Sequence, residues 1–333
     1  MKTILVTGGA GYIGSHAVKM LLNANYQVVI LDNLSTGYRD AVLGGHFILG
    51  DVTDKAKLEQ LFTDYSIDGV MHFAASVQVE ESVQNPNKYY QNNVVATLNL
   101  LDAMLAHQVK TLIFSSTAAI FGEPQYIPVD EQHPKQPLNP YGQTKWIAEQ
   151  ILADYDKAYG LKSVCLRYFN AAGAEGEIIE RHNPVTHLIP LVLEVAAGKR
   201  KFISVYGQDY NTSDGTCIRD YIHINDLCQA HLLALEQLLA GARSNVYNLG
   251  NGIGFSVKQV IETAKKVTGK NISITITKRR SGDSAHLVAN SKQAKELLGW
   301  QPQYVELSDI IRSSWKSVGW NELANSNHLS PQI

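Results

Sequence analysis

The stretch NPYGQTKW, residues 139–146, sets Tyr141 and Lys145 four positions apart behind an Asn-Pro step. On a helix, side chains at that separation share one face. A phenol beside an ammonium suggests proton abstraction from a hydroxyl. An ordinary phenol titrates near pH ~10, so a base working near neutrality needs a shift of about three units, roughly 4 kcal/mol. A nearby ammonium and the positive end of a helix both favour the phenolate. Asn139 and Pro140 read as N-cap and first helical position, which puts Tyr141 in the first turn and Lys145 one turn on. Spacing alone is weak evidence, because a chain of 333 residues with 16 tyrosines yields such a pair by chance. Two solvated side chains on an ordinary helix would look the same.

Context strengthens the chemical reading. Ahead of the pair runs FSSTAAIFG, residues 114–122, whose Ser115, Ser116 and Thr117 close an apolar strand. Open α/β sheets bind ligands at the carboxyl ends of their strands. The three hydroxyls therefore belong at the mouth of a site, with Thr117 set to hydrogen-bond a substrate hydroxyl. Taken alone, a Ser/Thr cluster more often caps a turn. Gly8, Gly11 and Gly14 in VTGGAGYIGSH follow the first strand and open a helical pattern with the spacing G-x-x-G-x-x-G. Small residues there let the backbone approach a pyrophosphate, and the helix start supplies N–H donors. A plain glycine turn is the alternative. Asp32 ends the second strand, where a carboxylate can hold ribose hydroxyls and repel a 2′-phosphate, which favours NAD over NADP; the first arginine after it is Arg39. Asp51 ends the third strand and could reach the adenine edge or serve as a helix-start carboxylate. A bound nicotinamide, itself positive, would further favour a Tyr141 phenolate.

These groups need a frame. Apolar runs at 3–7, 27–31, 47–49, 69–74, 111–115 and 163–168 alternate with amphipathic stretches at 12–23, 55–63, 89–106 and 141–159. That rhythm predicts a doubly wound Rossmann-type α/β fold with a parallel sheet covered on both faces. From about 175 the rhythm changes. Residues 174–186 read as a charged loop, 187–198 as a helix, 206–217 as a turn-rich stretch, and the tail from 321 as frayed. The expected domains are 1–174 for the dinucleotide and 175–333 mainly for the substrate, with some segments returning to the first. The length, 333 residues, suits two units.

Composition narrows the class. Hydrophobic content of 45%, charge of 18% and a formal net charge of −2 describe a soluble globular chain with no nucleic-acid character. The three cysteines, Cys165, Cys217 and Cys228, are far apart and read as reduced core residues, which points to the cytoplasm. The opening apolar run breaks at Gly8-Gly9, too short for a signal peptide, and no membrane span is expected. The histidines show no ligand spacing, so no metal is expected.

In order, VTGGAGYIGSH, LDNLSTG, GDVTD, FAAS, NNVVATLNLLDAM, FSSTAAIFG, NPYGQTKWIAEQIL, LRYFNAAGA, THLIP, DGTCIRDYIHINDL, YNLGNG and RRSGDSA make the chain resemble, nearly end to end, the extended short-chain dehydrogenase/reductase family and its nucleotide-sugar 4-epimerases. The resemblance implies reversible 4-epimerisation of UDP-galactose and UDP-glucose through a transient 4-keto sugar, with NAD as tightly held cofactor. It makes Tyr141 the base, Lys145 the group that lowers its pKa and holds the nicotinamide ribose, and Thr117 the partner of the sugar 4-hydroxyl. Along the cofactor it places Gly8, Gly11, Tyr12, Ile13 and Gly14, then Asp32 with Asn33, Asp51 with Val52, and Phe73 with Ala74. Asn92, Ser115 and Tyr168 complete that set. On the UDP-sugar side it places Arg219 and Arg280 at the pyrophosphate, Asp283 at the uridine ribose, and Asn170, His187, Leu188 and Tyr206 around the pocket. Without it, both arginines would read as surface residues and His187 as a helix-start histidine. It also implies a homodimer, with 89–106 and 141–159 pairing across a two-fold axis.

Departures from the family pattern bear on substrate. Ala118 and Ala119 stand where related 4,6-dehydratases carry an acidic residue, which argues against dehydration. His187 replaces an asparagine found in many epimerases, Val77 lies where some carry lysine, and Phe121 replaces a usual tyrosine. His286 aligns with the residue that limits N-acetylated sugars. A UDP-N-acetylhexosamine or UDP-pentose 4-epimerase would share the catalytic groups. A non-catalytic NAD-sensing protein on the same fold would tend to lack Tyr141 or Lys145.

Overall fold

The computed structural model describes residues 1–327 except 177, 182–184 and 281–282, with side chains described to residue 317. The strands β1 (Thr3–Thr7), β2 (Gln27–Asp32), β3 (His46–Leu49), β4 (Gly69–His72), β5 (Thr111–Thr117) and β6 (Lys162–Tyr168) lie within a residue or two of the apolar runs, except that β4 stops at His72 and β5 continues to Thr117. Between them come α1 (Tyr12–Asn23), α2 (Lys55–Asp64), α3 (Val79–Gln84), α4 (Pro86–Tyr89), α5 (Ala96–Ala106) and α6 (Pro140–Tyr159). The chain then runs through β7 (Asn170–Ala172), α7 (Leu188–Ala196), β8 (Ile203–Tyr206), β9 (Ile218–His223), α8 (Ile224–Leu239), β10 (Asn245–Leu249), β11 (Gly254–Ser256), α9 (Val257–Thr268), β12 (Ile274–Thr277), β13 (His286–Leu287) and α10 (Leu307–Asn327).

Seven strands form one all-parallel sheet in the order β10-β6-β5-β4-β1-β2-β3. The order reverses at β1, as a doubly wound sheet requires. Its seventh strand comes from the second half of the chain, β10 pairing with β6 as Asn245 with Val164 through Leu249 with Tyr168. One face packs α1 and α8 on residues such as Ile4, Val6, Ile30, Ile113 and Leu166; the other packs α2, α5 and α6 on Leu5, Val29, Leu31, Val70 and Phe114. Strands buried on both faces explain why these runs are continuously apolar rather than alternating. The smaller unit has a core of its own, including Ile189, Val192, Ile203, Tyr221, Val260 and Ile310, around the short sheet of β7, β9, β11 and β13. Cys165, Cys217 and Cys228 are buried and unpaired.

Two expectations change. The stretch 89–106 is not one regular helix, because Tyr90–Val95 widens into π turns between α4 and α5. The side chain of Asn93 drives this. It accepts from the Ser76 N–H at 2.8 Å and donates to the Ser76 carbonyl at 2.9 Å and Thr144 Oγ1 at 3.0 Å. Such bulges recur beside functional sites. The tail is helical rather than frayed as far as Asn327, where α10 ends, with no Gly or Pro between Gly319 and that residue; the rest of the tail, 328–333, lies outside the described residues.

Candidate active site

All seven strands of the large sheet run parallel, so their carboxyl ends open on one edge. Gly8, Phe73, Thr117 and Phe169 follow or end four of these strands there. At the end of β1 the chain turns through Gly8, whose φ of 73° suits glycine. A methyl group on Gly8 would lie 2.5 Å from the Ala74 nitrogen, so Phe73-Ala74 presses directly on the turn. A methyl group on Gly14 would lie 2.1 Å from the Gly8 oxygen. The glycines thus pack the loop against the start of α1, whose N-cap, Gly11, offers no capping side chain. An uncapped helix start behind a glycine cradle fits a pyrophosphate. Gly14→Ala is expected to abolish NAD retention, measured as nucleotide released from the purified protein. Wild-type NAD content in that variant would refute the cradle.

Asp32 is buried at the end of β2. Its carboxylate accepts the Ala10 N–H at 2.9 Å and the Leu34 N–H at 2.8 Å, which pins it beside the glycine turn. Arg39 does not approach it through any hydrogen bond or ion pair among the described residues, and instead covers the Phe47 ring at 4.5 Å. Asn33 donates to Asp51 at 2.5 Å, and Asp51 also accepts from the Thr53 N–H and hydroxyl. Asp54, not Asp51, caps α2, accepting the Lys57 N–H at 3.0 Å. This removes the helix-cap alternative for Asp51. Val52 is buried behind that turn and Ile13 packs against the core. Tyr12 is tied across the cleft, donating its hydroxyl to the Gly173 carbonyl at 2.6 Å. Asn92 donates to Ser76 Oγ at 3.0 Å.

The helix carrying the Tyr/Lys pair begins as its sequence implies. Asn139 accepts the Gly142 N–H at 2.9 Å, Pro140 follows, and Gly160 closes the helix with a left-handed φ of 69°. Gly142 admits a close approach, since a methyl there would lie 2.5 Å from the Ala119 oxygen. Tyr141 and Lys145 are thereby set against the end of β5. Lys145 is buried, donates from Nζ to the Ser115 carbonyl at 2.9 Å and lies 4.8 Å from the Phe114 ring centre. The Thr117 hydroxyl accepts the Ala119 N–H at 3.1 Å and acts on the neighbouring Tyr141 phenol to lower its pKa. Ser115 and Tyr168 are joined hydroxyl to hydroxyl.

Ser116 departs from expectation. It does not reach the mouth of the site but donates to Glu149, which also binds Arg167 in an ion pair buried on both sides. Alternation along a strand is the reason: Ser115 and Thr117 face one way and Ser116 the other. The electrostatics also differ from the sequence-based expectation. Burial pushes the Tyr141 phenol above its ordinary value, opposed by the Thr117 hydroxyl. Burial lowers Lys145 to about 7, partly offset by the Glu149 carboxylate. A low-dielectric cleft disfavours either charge alone, so the protein by itself holds the phenol protonated.

In the second half of the chain, Arg219 donates to the carbonyls of Ile218 at 2.9 Å and Ser284 at 2.8 Å and pairs with Asp283 at 3.4 Å. The arginine and aspartate therefore meet, supported by β9. Arg280 stacks on Tyr206, its guanidinium carbon 3.8 Å from the ring centre. Asn170 donates to the Asp220 carbonyl at 2.8 Å and fastens β7 to β9. His187 stands at the N-cap position of α7 and Leu188 opens the helix. Burial alone would depress the His187 imidazole, yet the hydrogen-bonded Glu180 carboxylate beside it raises it. His286 lies on β13 beside β9, its pKa lowered by burial and by Arg219. Val77 is exposed and Phe121 fully buried. Sequence reasoning missed Ser76 and Asn93, which position Asn92 and α6; only the NN doublet at 92–93 hinted at them. Among the described residues no group of three or more His, Cys, Asp or Glu could hold a metal ion. No helix among them is long and apolar enough to cross a membrane.

Comparison with known proteins gives a consistent picture. The model of the NAD dependent epimerase/dehydratase family matches residues 4–250. A UDP-glucose 4-epimerase of Halalkalibacterium halodurans is 52% identical over 314 residues, covering 94% of each chain. The crystal structure of UDP-glucose 4-epimerase from Brucella ovis in complex with NAD superposes with a TM-score of 0.93 at 46% identity, covering 96% of this chain and 99% of that one. The Bifidobacterium longum UDP-glucose 4-epimerase in complex with NAD+ and UDP gives a TM-score of 0.91 at 39% identity, over 96% and 99%. By its family model, its near full-length relatives and its fold, this chain belongs to the NAD dependent epimerase/dehydratase family.

Proposed function

We propose that this protein interconverts UDP-galactose and UDP-glucose by reversible oxidation at the sugar C4, as an NAD-dependent isomerase. The observation that carries the reading is the buried Lys145, anchored on the Ser115 carbonyl one helical turn from Tyr141, where α6 meets the end of β5 that carries Thr117. NAD, when bound, supplies the acceptor for the C4 hydride and its return. Thr117 and Tyr141 orient the 4-hydroxyl, and Tyr141 takes its proton as the C4 carbonyl forms. Lys145 offsets the phenolate charge and holds the nicotinamide ribose. After the sugar turns over, Tyr141 would return the proton to the 4-oxygen. General acid–base work of this kind requires the positioned hydrogen bond first and the tuned pKa second.

The other roles follow the same reading. Gly8, Gly11, Tyr12, Ile13 and Gly14 hold the pyrophosphate of the cofactor, and Asp32 with Asn33 the adenosine ribose. Asp51 and Val52 border the adenine. Phe73, Ala74, Asn92, Ser115 and Tyr168 border the nicotinamide half. Arg219, Arg280 and Asp283 grip the UDP, whose anchoring lets the sugar swing without leaving; a guanidinium fork suits phosphate oxygens. Asn170, His187, Leu188 and Tyr206 line the sugar-nucleotide pocket, with residues 1–174 serving mainly the dinucleotide and 175–333 mainly the UDP-sugar. We take the working form as a cytoplasmic homodimer; a monomer by sedimentation would overturn that.

The test is incubation of the purified protein with UDP-galactose and no added NAD, followed by proton NMR. Appearance of UDP-glucose is expected, with cofactor retained from expression. Turnover confined to UDP-N-acetylgalactosamine or a UDP-pentose would replace the substrate. No product from any of them with NAD supplied would refute the catalytic reading.

A further inference from the structure

The chain leaving β7 of the short sheet is fastened back onto the first half of the molecule at three points. Gly173 accepts the Tyr12 hydroxyl at 2.6 Å, and Glu175 pairs with Lys19 of α1 at 3.4 Å. The third point is Arg181. Its Nη1 and Nη2 donate to the two Asp40 oxygens at 2.9 and 2.6 Å, and its guanidinium carbon lies 4.4 Å from the Tyr38 ring centre. Tyr38 is itself tied to the glycine loop, its N–H donating to the Ala10 carbonyl at 2.9 Å. Gly37, one residue before, lies so close that a methyl group on it would be 2.8 Å from the Ala10 carbonyl carbon. Arg181, Ile179 and Tyr38 face Gly11, Ser15 and Thr36 across a small cleft at the start of α1.

We propose that the Arg181–Asp40 fork, seated on Tyr38, is a latch that closes the wall of the glycine-loop cleft and sets how long NAD stays bound. This rests on the reading that the glycine loop holds NAD. A fork between a guanidinium and a carboxylate fixes geometry as well as charge. Here it joins a segment from the second half of the chain to the turn after β2, so the wall is built from both halves. Cofactor release past this wall requires the pair to part. A rival role for Arg181, direct contact with the cofactor phosphates, makes the opposite prediction for Asp40. Removing the carboxylate would then free the guanidinium for phosphate and slow release.

The experiment measures the rate of NAD loss from the purified holoenzyme by chromatography of the released nucleotide. Arg181→Gln and Asp40→Asn are each expected to speed release by about fivefold, the upper range for a partly exposed pair. The double exchange Arg181→Asp with Asp40→Arg is expected to restore slow release, which separates the latch from a folding defect. Unchanged release in both single variants, or slower release in Asp40→Asn, would overturn the latch. Wild-type protein that carries no NAD and takes none up would instead remove the cofactor reading on which it rests.

Discussion

Tyr141→Phe is expected to lower epimerase turnover by roughly two to four orders of magnitude, the contribution typical of a positioned acid–base group. Binding of UDP-sugar should stay within a few-fold of wild type, because the grip on UDP is assigned to Arg219, Arg280 and Asp283. The phenol rides the first turn of α6, which is locked by the Asn139 cap and by the close approach of Gly142 to Ala119. Phenylalanine keeps the ring and the packing and removes only the proton carrier. Burial also acts on both partners in opposite directions, raising the phenol and lowering Lys145 to about 7. The two charges therefore form at lower free energy together than singly. Steady-state kinetics with isothermal titration of UDP would check this. A variant that turns over within tenfold of wild type would take the base role away from Tyr141.

The second large effect is acid lability. His16, His72, His223 and His231 are all buried, and burial lowers His72 to about 3 and the other three to about 4. Their unfolded value is near ~6.5. Between those limits the unfolded chain binds more protons than the native one, so stability falls as pH drops from about 6.5 towards 4. Asp220 opposes this: burial raises it to about 6, so the native state binds its proton first. Glu131 and Asp226, raised by burial, act in the same sense as Asp220. A net excess of roughly two to three protons near pH 5 would give a slope of about 3–4 kcal/mol per pH unit. Urea unfolding of the cofactor-free protein from pH 7 to 4.5 measures it, and a flat or reversed profile would contradict the assignment. Lys145 carries the same sign into the alkaline range, because its native pKa of about 7 lies below its unfolded value.

Much of this molecule was legible in the chain itself. Continuously apolar runs separated by amphipathic ones specify a parallel sheet buried on both faces, and the first six strands fell on those runs. The glycine spacing after β1, the carboxylate ending β2, and the Asn-Pro start of α6 are local signals, because backbone freedom, strand ends and helix caps depend on a few adjacent residues. Those same signals, with Thr117 and the Tyr141/Lys145 spacing, marked groups that the fold carries at strand ends and helix starts. Other features depended on contacts far apart in sequence. That β10 completes the large sheet beside β6 is a pairing across about eighty residues, which no local period encodes. That Ser116 turns away to Glu149 and Arg167 follows from which face of β5 each half of the molecule covers. The π turns at Tyr90–Val95 exist because Asn93 finds Ser76 and Thr144, and Arg181 meets Asp40 only because the second half folds back over α1. The upward shift of Tyr141 came from burial, and burial is a property of the packed whole. Sequence determined which groups could do chemistry and on which elements they ride; tertiary structure decided which of them meet, and in how dry a cleft.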